Sequence, residues 1–213
     1  LSGDVTLANG RVAELQIQAT SNMGWFGLSS SNTEAQNVAA WDLCLGRYNL
    51  DNGRARRYNI EIPSGRFLVT NLVLASTYFE TGITQGRLSI KGQGPINTEF
   101  VSSAATGDVL KVTTGKILLS DFSISSDGIT RSATVGAGNG LVVDETDGAT
   151  PAITTIAKFD FSNIDVQNQP DNGLYLVNIE LLFCKNVTAS ANGNYGFWLY
   201  SDNYGGPKKG ISN

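Results

Sequence analysis

Gly173-Leu174-Tyr175-Leu176-Val177 and, 23 residues further on, Gly196-Phe197-Trp198-Leu199-Tyr200 are one pattern written twice. The stretch ahead of each is offset in the same way. Phe161-Ser162-Asn163-Ile164-Asp165-Val166 is answered by Cys184-Lys185-Asn186-Val187-Thr188-Ala189, again 23 residues apart. Each copy is a short alternating segment bounded by Gly, Asn or Asp, the pattern of a strand and its turn. Two different strand-like segments recurring at one spacing predict the stacked coils of a parallel solenoid, because each coil then covers the apolar face of the one before it. Side chains alternate along a strand. Leu141, Val143, Leu174, Leu176, Phe197 and Leu199 are therefore expected inward. Val142, Asp144, Tyr175, Val177, Trp198 and Tyr200 are expected outward. Asn163 and Asn186 fall one coil apart at a bend, where stacked amides bond along the solenoid axis.

Upstream, Gly140 lies 33 residues before Gly173, ten more than the repeat. The surplus is expected in a surface loop, either around Thr146 to Thr154 or around Gln167 to Asp171. Further short strands are read at Tyr58 to Ile62, Phe67 to Val69, Leu72 to Leu74, Leu88 to Ile90, Val109 to Val112, Ile117 to Leu119 and Phe122 to Ile124, each bounded by turn residues. One helix is predicted over about residues 33–46. Asn32 or Thr33 caps its start, Glu34 lies in its first turn and Gly46 follows its last apolar residue. Ala35, Val38, Ala39, Asp42 and Leu45 are expected on its inner face, with Trp41 beside it. Residues 1–32 read as an N-terminal arm and loop, and 33–213 as the solenoid, with its coils over about 58–213. No capping helix follows the last strand, so further coils are expected beyond Asn213.

Composition narrows the functional classes. With 15 basic and 19 acidic residues the net charge is −4, which disfavours wrapping nucleic acid. Arg54, Arg56 and Arg57 form the densest basic stretch and read as a solvated loop. No apolar run reaches the ~18 residues of a membrane span. Histidine is absent, which removes the commonest general base and metal ligand. No cofactor and no metal are expected. Cys44 and Cys184 lie in apolar patterns and are expected as two buried free thiols.

The predicted helix, then Ile60-Glu61-Ile62-Pro63-Ser64-Gly65-Arg66-Phe67-Leu68-Val69, then Leu88-Ser89-Ile90-Lys91-Gly92-Gln93-Gly94, resembles the opening of the pectate-lyase-like right-handed parallel β-helix superfamily. The likeness in order and spacing runs over roughly 33–101. It implies an all-β chain, a right-handed parallel β-helix with an N-terminal capping α-helix. Many members carry an acidic Asp-Gly-x-x-Asp-Asp-Thr stretch before that helix. Here Leu28-Ser29-Ser30-Ser31-Asn32-Thr33 keeps only the Thr. The loop-rich N-terminus and Gly/Ser/Thr-rich coils are most similar to a bacteriophage tailspike. That resemblance implies a homotrimer in the phage tail, outside the cell, joined to other virion tail proteins and acting on a bacterial surface polysaccharide.

The outward aromatics fit such a ligand. Aromatic rings cover the apolar face of a pyranose, and polar groups bind its hydroxyls. Tyr175, Trp198, Tyr200, Asp202 and Tyr204 are the candidate glycan-binding residues. Cutting a glycosidic bond needs two carboxyl groups at about 5 Å or about 6.5–9.5 Å. Asp144, Glu145, Asp165, Glu180 and Asp202 are available on the last coils, with Glu145 and Asp202 the weak catalytic candidates. The expected function is to bind, and in a depolymerase also to cut, a host surface polysaccharide. The alternatives are a non-catalytic structural or adhesin module of a virion fibre, and a free polysaccharide lyase or hydrolase.

Overall fold

The computed structural model describes residues 5–6, 11–13, 20–50, 57–74, 87–103, 106–113, 117–127, 138–144, 159–177, 179 and 182–200. Val5–Thr6 (β1) and Val12–Ala13 (β2) pair antiparallel as a small sheet of their own. Thr20–Asn22 (β3) then opens the main stack. A short 3-10 helix, Met23–Phe26, and then the α-helix Glu34–Leu50 (α1) follow. The remaining strands are Arg57–Glu61 (β4), Gly65–Leu68 (β5), Leu72–Leu74 (β6), Arg87–Lys91 (β7), Thr98–Ser102 (β8), Leu110–Val112 (β9), Ile117–Ser126 (β10), Leu141–Asp144 (β11), Phe159–Gln167 (β12), Leu174–Val177 (β13), Leu182–Ser190 (β14) and Phe197–Tyr200 (β15).

These strands form two open parallel sheets. One runs β3-β4-β7-β10-β12-β14, with β5 and β8 joined to it through β10; the other runs β6-β9-β11-β13-β15. The chain visits them in the same order on five passes, so the class is all-β, with one α-helix among the described residues. Register keeps like above like. Leu72, Leu110, Leu141, Leu174 and Phe197 form one column, and Leu74, Val112, Val143, Leu176 and Leu199 the next. Ile60, Ile90, Leu119, Phe161 and Cys184 form a third in the other sheet. The 23-residue repeat is the last of these steps: Tyr175 pairs with Trp198, and Ile164 with Val187.

The core is these columns. From Ile60 to Leu176 their members are almost wholly buried, and each such side chain contributes about 1.5–3 kcal/mol. Trp41, Phe67, Phe100 and Phe122 fill the N-terminal end, with ring centroids of neighbouring pairs 5.5–6.3 Å apart. β8 was not among the strands read from the sequence. Its Phe100 carries that cluster, and its Glu99 pairs in register with Arg66.

The helix differs from expectation in length and in face. It runs on to Leu50, because Gly46 is not in the positive-φ conformation of a helix-ending glycine. Asn37, Ala40, Trp41, Cys44 and Leu45 are buried, whereas Ala35, Ala39 and Asp42 are exposed. The buried set follows i, i+3, i+4, i+7, i+8, a better helical stripe than the one expected. Its start is as expected: Gln36 N donates to Thr33 Oγ1 (3.4 Å), and Thr33 N donates to Gln36 Oε1 (2.9 Å), a capping box. The face is polar where it meets strand edges. Asn37 Nδ2 donates to Leu68 O and Trp41 Nε1 to Val73 O, both at 3.1 Å. The helix thus closes the N-terminal end of the first pass and satisfies carbonyls there. In the preceding turn Phe26 is buried and Trp25 is 58% exposed.

Two bends repeat from pass to pass. At the first, Asp121, Asn163 and Asn186 all take a left-handed backbone, φ 63°, 55° and 54°. Asn163 Nδ2 donates to Asp121 Oδ1 at 2.8 Å, so this bend is tied to the pass before it, through a carboxylate; register sets Asn163 and Asn186, the pair expected to stack, side by side. Above it sits Gly92, where a Cβ would lie 2.1 Å from the Asp121 carbonyl oxygen. The second bend precedes the strands of the other sheet. Asn139 donates to Asp108 Oδ1 from its backbone N (3.2 Å) and Nδ2 (2.8 Å). Asn172 donates to Asn139 Oδ1 in the same way, at 3.3 and 2.8 Å.

Gln167 to Asp171 is not the bulging loop. Gln169, Pro170 and Asp171 are buried, and Gly193 N and Asn194 N donate to Gln169 O and Asp171 O on the next pass. The ten surplus residues therefore lie between Asp144 and Phe159. Thr146 to Thr154, the other loop expected to hold them, falls outside the described residues.

The last pass corrects three expectations of burial. Phe197 is 43% and Leu199 48% exposed, and Cys184 is exposed, although all three continue buried columns. Among the described residues no pass follows to cover them. Cys44 is buried as expected.

Candidate functional site

The C-terminal passes present an aromatic group on the outer side of β13 and β15. Register places Tyr175 directly beside Trp198, and Val177 beside Tyr200, about 4.8 Å apart. Tyr200 is 47% exposed, and Tyr175 and Trp198 are half-buried. The face is less open toward the N-terminus than alternation alone predicts. Val142 and Val177 point away from the interior, yet they are only 2% and 7% exposed.

Tyr195 is the residue that sequence reasoning missed. It is 48% exposed, and its ring lies edge-on to Trp198 with centroids 4.5 Å apart. It stands in the turn before β15, where its backbone N donates to Asn172 Oδ1 at 3.3 Å and its carbonyl accepts from Gly173 N at 2.9 Å. The amide stack Asp108–Asn139–Asn172 therefore ends on Tyr195 and holds the aromatic turn in place. A signal was present: Tyr195 follows Asn172 by one 23-residue repeat, so an aromatic replaces the expected amide. Gly173 allows the turns to approach, since a Cβ there would lie 2.5 Å from Asn192 Nδ2 and 2.8 Å from Gly196 O.

Burial, and then the negative fields of Tyr200, Asp144, Asp108 and Asp171, push the Tyr175 hydroxyl above its ordinary pKa. Asp144 stands on β11 beside Val177, in the column that ends on Tyr200. Lys111, on β9, pairs with Val142 and is one rung further from the aromatics than that valine.

Of the other candidates, Asp165 lies in the opposite sheet and accepts from Thr188 Oγ1 at 2.5 Å, which makes it part of the pass-to-pass bonding. Glu145, Glu180, Asp202 and Tyr204 lie outside the described residues, as do Arg54 and Arg56. Arg57 belongs to β4 rather than to a loop. Among the described residues no group of three or more His, Cys, Asp or Glu is arranged to hold a metal ion, and no helix is long and apolar enough to cross a membrane. A shallow groove of about 300 Å³ lies between α1 and the turn before it, lined by Phe26, Asn32, Gln36, Ala39 and Leu43. It has no charged side chain and is remote in sequence from the aromatic face. No protein-family model, curated protein or solved structure matches the chain.

Proposed function

We propose that the passes wind as a right-handed parallel β-helix, and that its outer aromatic face binds a polysaccharide of a bacterial surface in the manner of a phage tailspike. The observation that carries this reading is the grouping of Tyr175, Tyr195, Trp198 and Tyr200 on one outer face, with Asp144 beside them. Exposed rings cover the apolar side of a pyranose, and rigid aromatics lose little entropy on binding. The amide stack beneath Tyr195 supports it further, because a preformed platform avoids the cost of ordering a loop. Assembly as a homotrimer in a virion tail, with other tail proteins as neighbours, belongs to the same proposal.

Trp198→Ala tests it. Binding to capsular or lipopolysaccharide glycan should fall about tenfold or more, with the thermal midpoint little changed because Trp198 is half-exposed. Unchanged binding would remove this face from consideration. Light scattering tests the assembly, with a trimer expected and a monomer counting against it.

A binding module that does not cut is the second reading, and a specific observation favours it. Several described carboxylates are engaged within the fold. Glu99 accepts from Arg66 Nε (2.9 Å) and Ser125 Oγ (2.6 Å), Asp127 accepts from Arg66, Asp108 and Asp121 accept from Asn139 and Asn163, and Asp165 accepts from Thr188 Oγ1. Incubation with the bound glycan separates the two. New reducing ends or unsaturated sugars mark a depolymerase, and neither product marks an adhesin.

A further inference from the structure

We infer that Asn192 is a modification site: the folded chain leaves it, and not Asn139 or Asn172, open to conversion into aspartate and isoaspartate by loss of its side-chain amide. This holds whether or not the aromatic face binds a glycan. All three asparagines precede a glycine, Gly140, Gly173 and Gly193. Asn9-Gly10 and Asn52-Gly53 lie outside the described residues. A following glycine lets its backbone nitrogen reach the asparagine side chain most easily, because no Cβ hinders the ring that forms. The Gly193 nitrogen bonds to Asn192 Cγ and gives up its proton. The Cγ–Nδ2 bond breaks, and ammonia leaves with that proton. Water then opens the cyclic imide at either carbonyl. One opening gives aspartate. The other gives isoaspartate, whose backbone is one methylene longer.

The fold separates the three asparagines by what their amide nitrogens do. Asn139 Nδ2 donates to Asp108 Oδ1 and Asn172 Nδ2 to Asn139 Oδ1, both at 2.8 Å. Loss of ammonia at Asn139 would set a new carboxylate against that of Asp108. At Asn172 it would set one against the Asn139 side-chain carbonyl. In both places a hydrogen bond becomes a contact between two acceptors. Asn192 Nδ2 is enclosed and makes no hydrogen bond, so its departure breaks none. Asn192 Oδ1 accepts from Gln169 N at 3.0 Å, which places a donor on the oxygen that turns negative as the Gly193 nitrogen adds to Cγ. The glycine N–H groups are each bonded to a neighbouring pass at 2.9 to 3.0 Å, so each site needs a local opening first. Asn139 and Asn172 are 4% and 3% exposed between passes. Asn192 is half-buried on the last described pass, with a neighbouring pass on one side only among the described residues, and openings are easiest at such ends. The same turn holds Tyr195. Gly193 N and Asn194 N donate to Gln169 O and Asp171 O, both at 2.9 Å, and an added methylene between them and β14 shifts both bonds.

The experiment incubates native protein and urea-unfolded protein at mildly alkaline pH, with samples digested over time. Mass spectrometry reads amide loss at each asparagine, and enzymatic methylation of isoaspartate reads the lengthened product. In urea the three sites should convert at similar rates. In the native protein Asn192 should convert at least about tenfold faster than Asn139 and Asn172. The near-ultraviolet circular dichroism of the Tyr195–Trp198 pair should fall in step. Gly193→Ala should slow conversion at Asn192 alone and preserve that signal. Should that variant misfold, the rates in the unaltered chain decide. Equal native rates at the three sites, or Asn139 or Asn172 converting ahead of Asn192, would overturn the inference and leave the glycan-binding proposal untouched.

Discussion

Asn163 occupies a left-handed backbone position that β-branched residues avoid, and its amide ties one pass to the next. Asn163→Val should cost about 1–2 kcal/mol for the backbone and about another 1 kcal/mol for the lost hydrogen bond. Asn163→Gly should lose only the second part. The two urea midpoints should therefore separate, valine lowest, and equal midpoints would mean that the bend does not constrain the chain. Asn172 differs in that loss of its side chain acts on both sides: Asn139 Oδ1 keeps only the backbone N of residue 172 as donor, and Tyr195 N loses its acceptor. Asn172→Ala should cost about 1–3 kcal/mol and weaken the near-ultraviolet circular dichroism of the Tyr195–Trp198 pair. The buried thiol gives a pH prediction. Burial pushes Cys44 from 9.0 up to about 12, so the folded state holds its proton where the unfolded chain releases it. Its contribution to stability is complete below pH 9 and is lost as pH rises toward 12, at up to about 1.4 kcal/mol per pH unit. Cys184 is also shifted up by burial, but it is exposed and should react with iodoacetamide in the native state, whereas Cys44 should react only on unfolding.

The helix shows how sequence and structure divide the information. Its start was legible, because a capping box is a local event between Thr33 and Gln36. Thr33→Ala should cost about 1 kcal/mol in thermal unfolding. Its inner face was not legible, because Asn37 and Trp41 are buried for their reach to Leu68 O and Val73 O, partners more than 30 residues away. A local apolar count places Ala35 and Ala39 inside and misses a polar residue that satisfies a strand edge. Trp41→Phe keeps the ring contact with Phe100 but leaves Val73 O unsatisfied, so it should destabilise by about 1–3 kcal/mol. The strands divide similarly. β13 and β15 announced themselves by alternation and by the repeat, whereas β8 begins with Thr98-Glu99 and contains no such alternation. Its burial comes from pairing with β5 and β10, neither of which is adjacent in sequence. The platform was legible where it lies on strands, at Tyr175, Trp198 and Tyr200. It was missed at Tyr195, whose position is set by the amide stack of three earlier turns.

Across the whole molecule the columns run from a closed end to an open one. At the first pass Trp41 and Leu45 of α1 cover the apolar interior; at the fifth, Phe197 and Leu199 stand half-exposed. The same residue type in the same column thus has two energetic roles, and a pair of substitutions separates them. Leu176 is 4% exposed and Leu199, its neighbour one rung on, is 48% exposed. Leu176→Ala removes a side chain from between two passes and should cost about 2–5 kcal/mol, since the surroundings relax only partly around a cavity. Leu199→Ala leaves no enclosed cavity. It should cost less than about half as much, the burial of a side chain covered on one side. The comparison is made by urea denaturation at two protein concentrations. A small Leu199 effect that is independent of concentration means that the fifth pass faces solvent. A Leu199 effect as large as that of Leu176, growing with concentration, means that the end face is covered by association. The platform at Tyr195, Trp198 and Tyr200 would then border that contact.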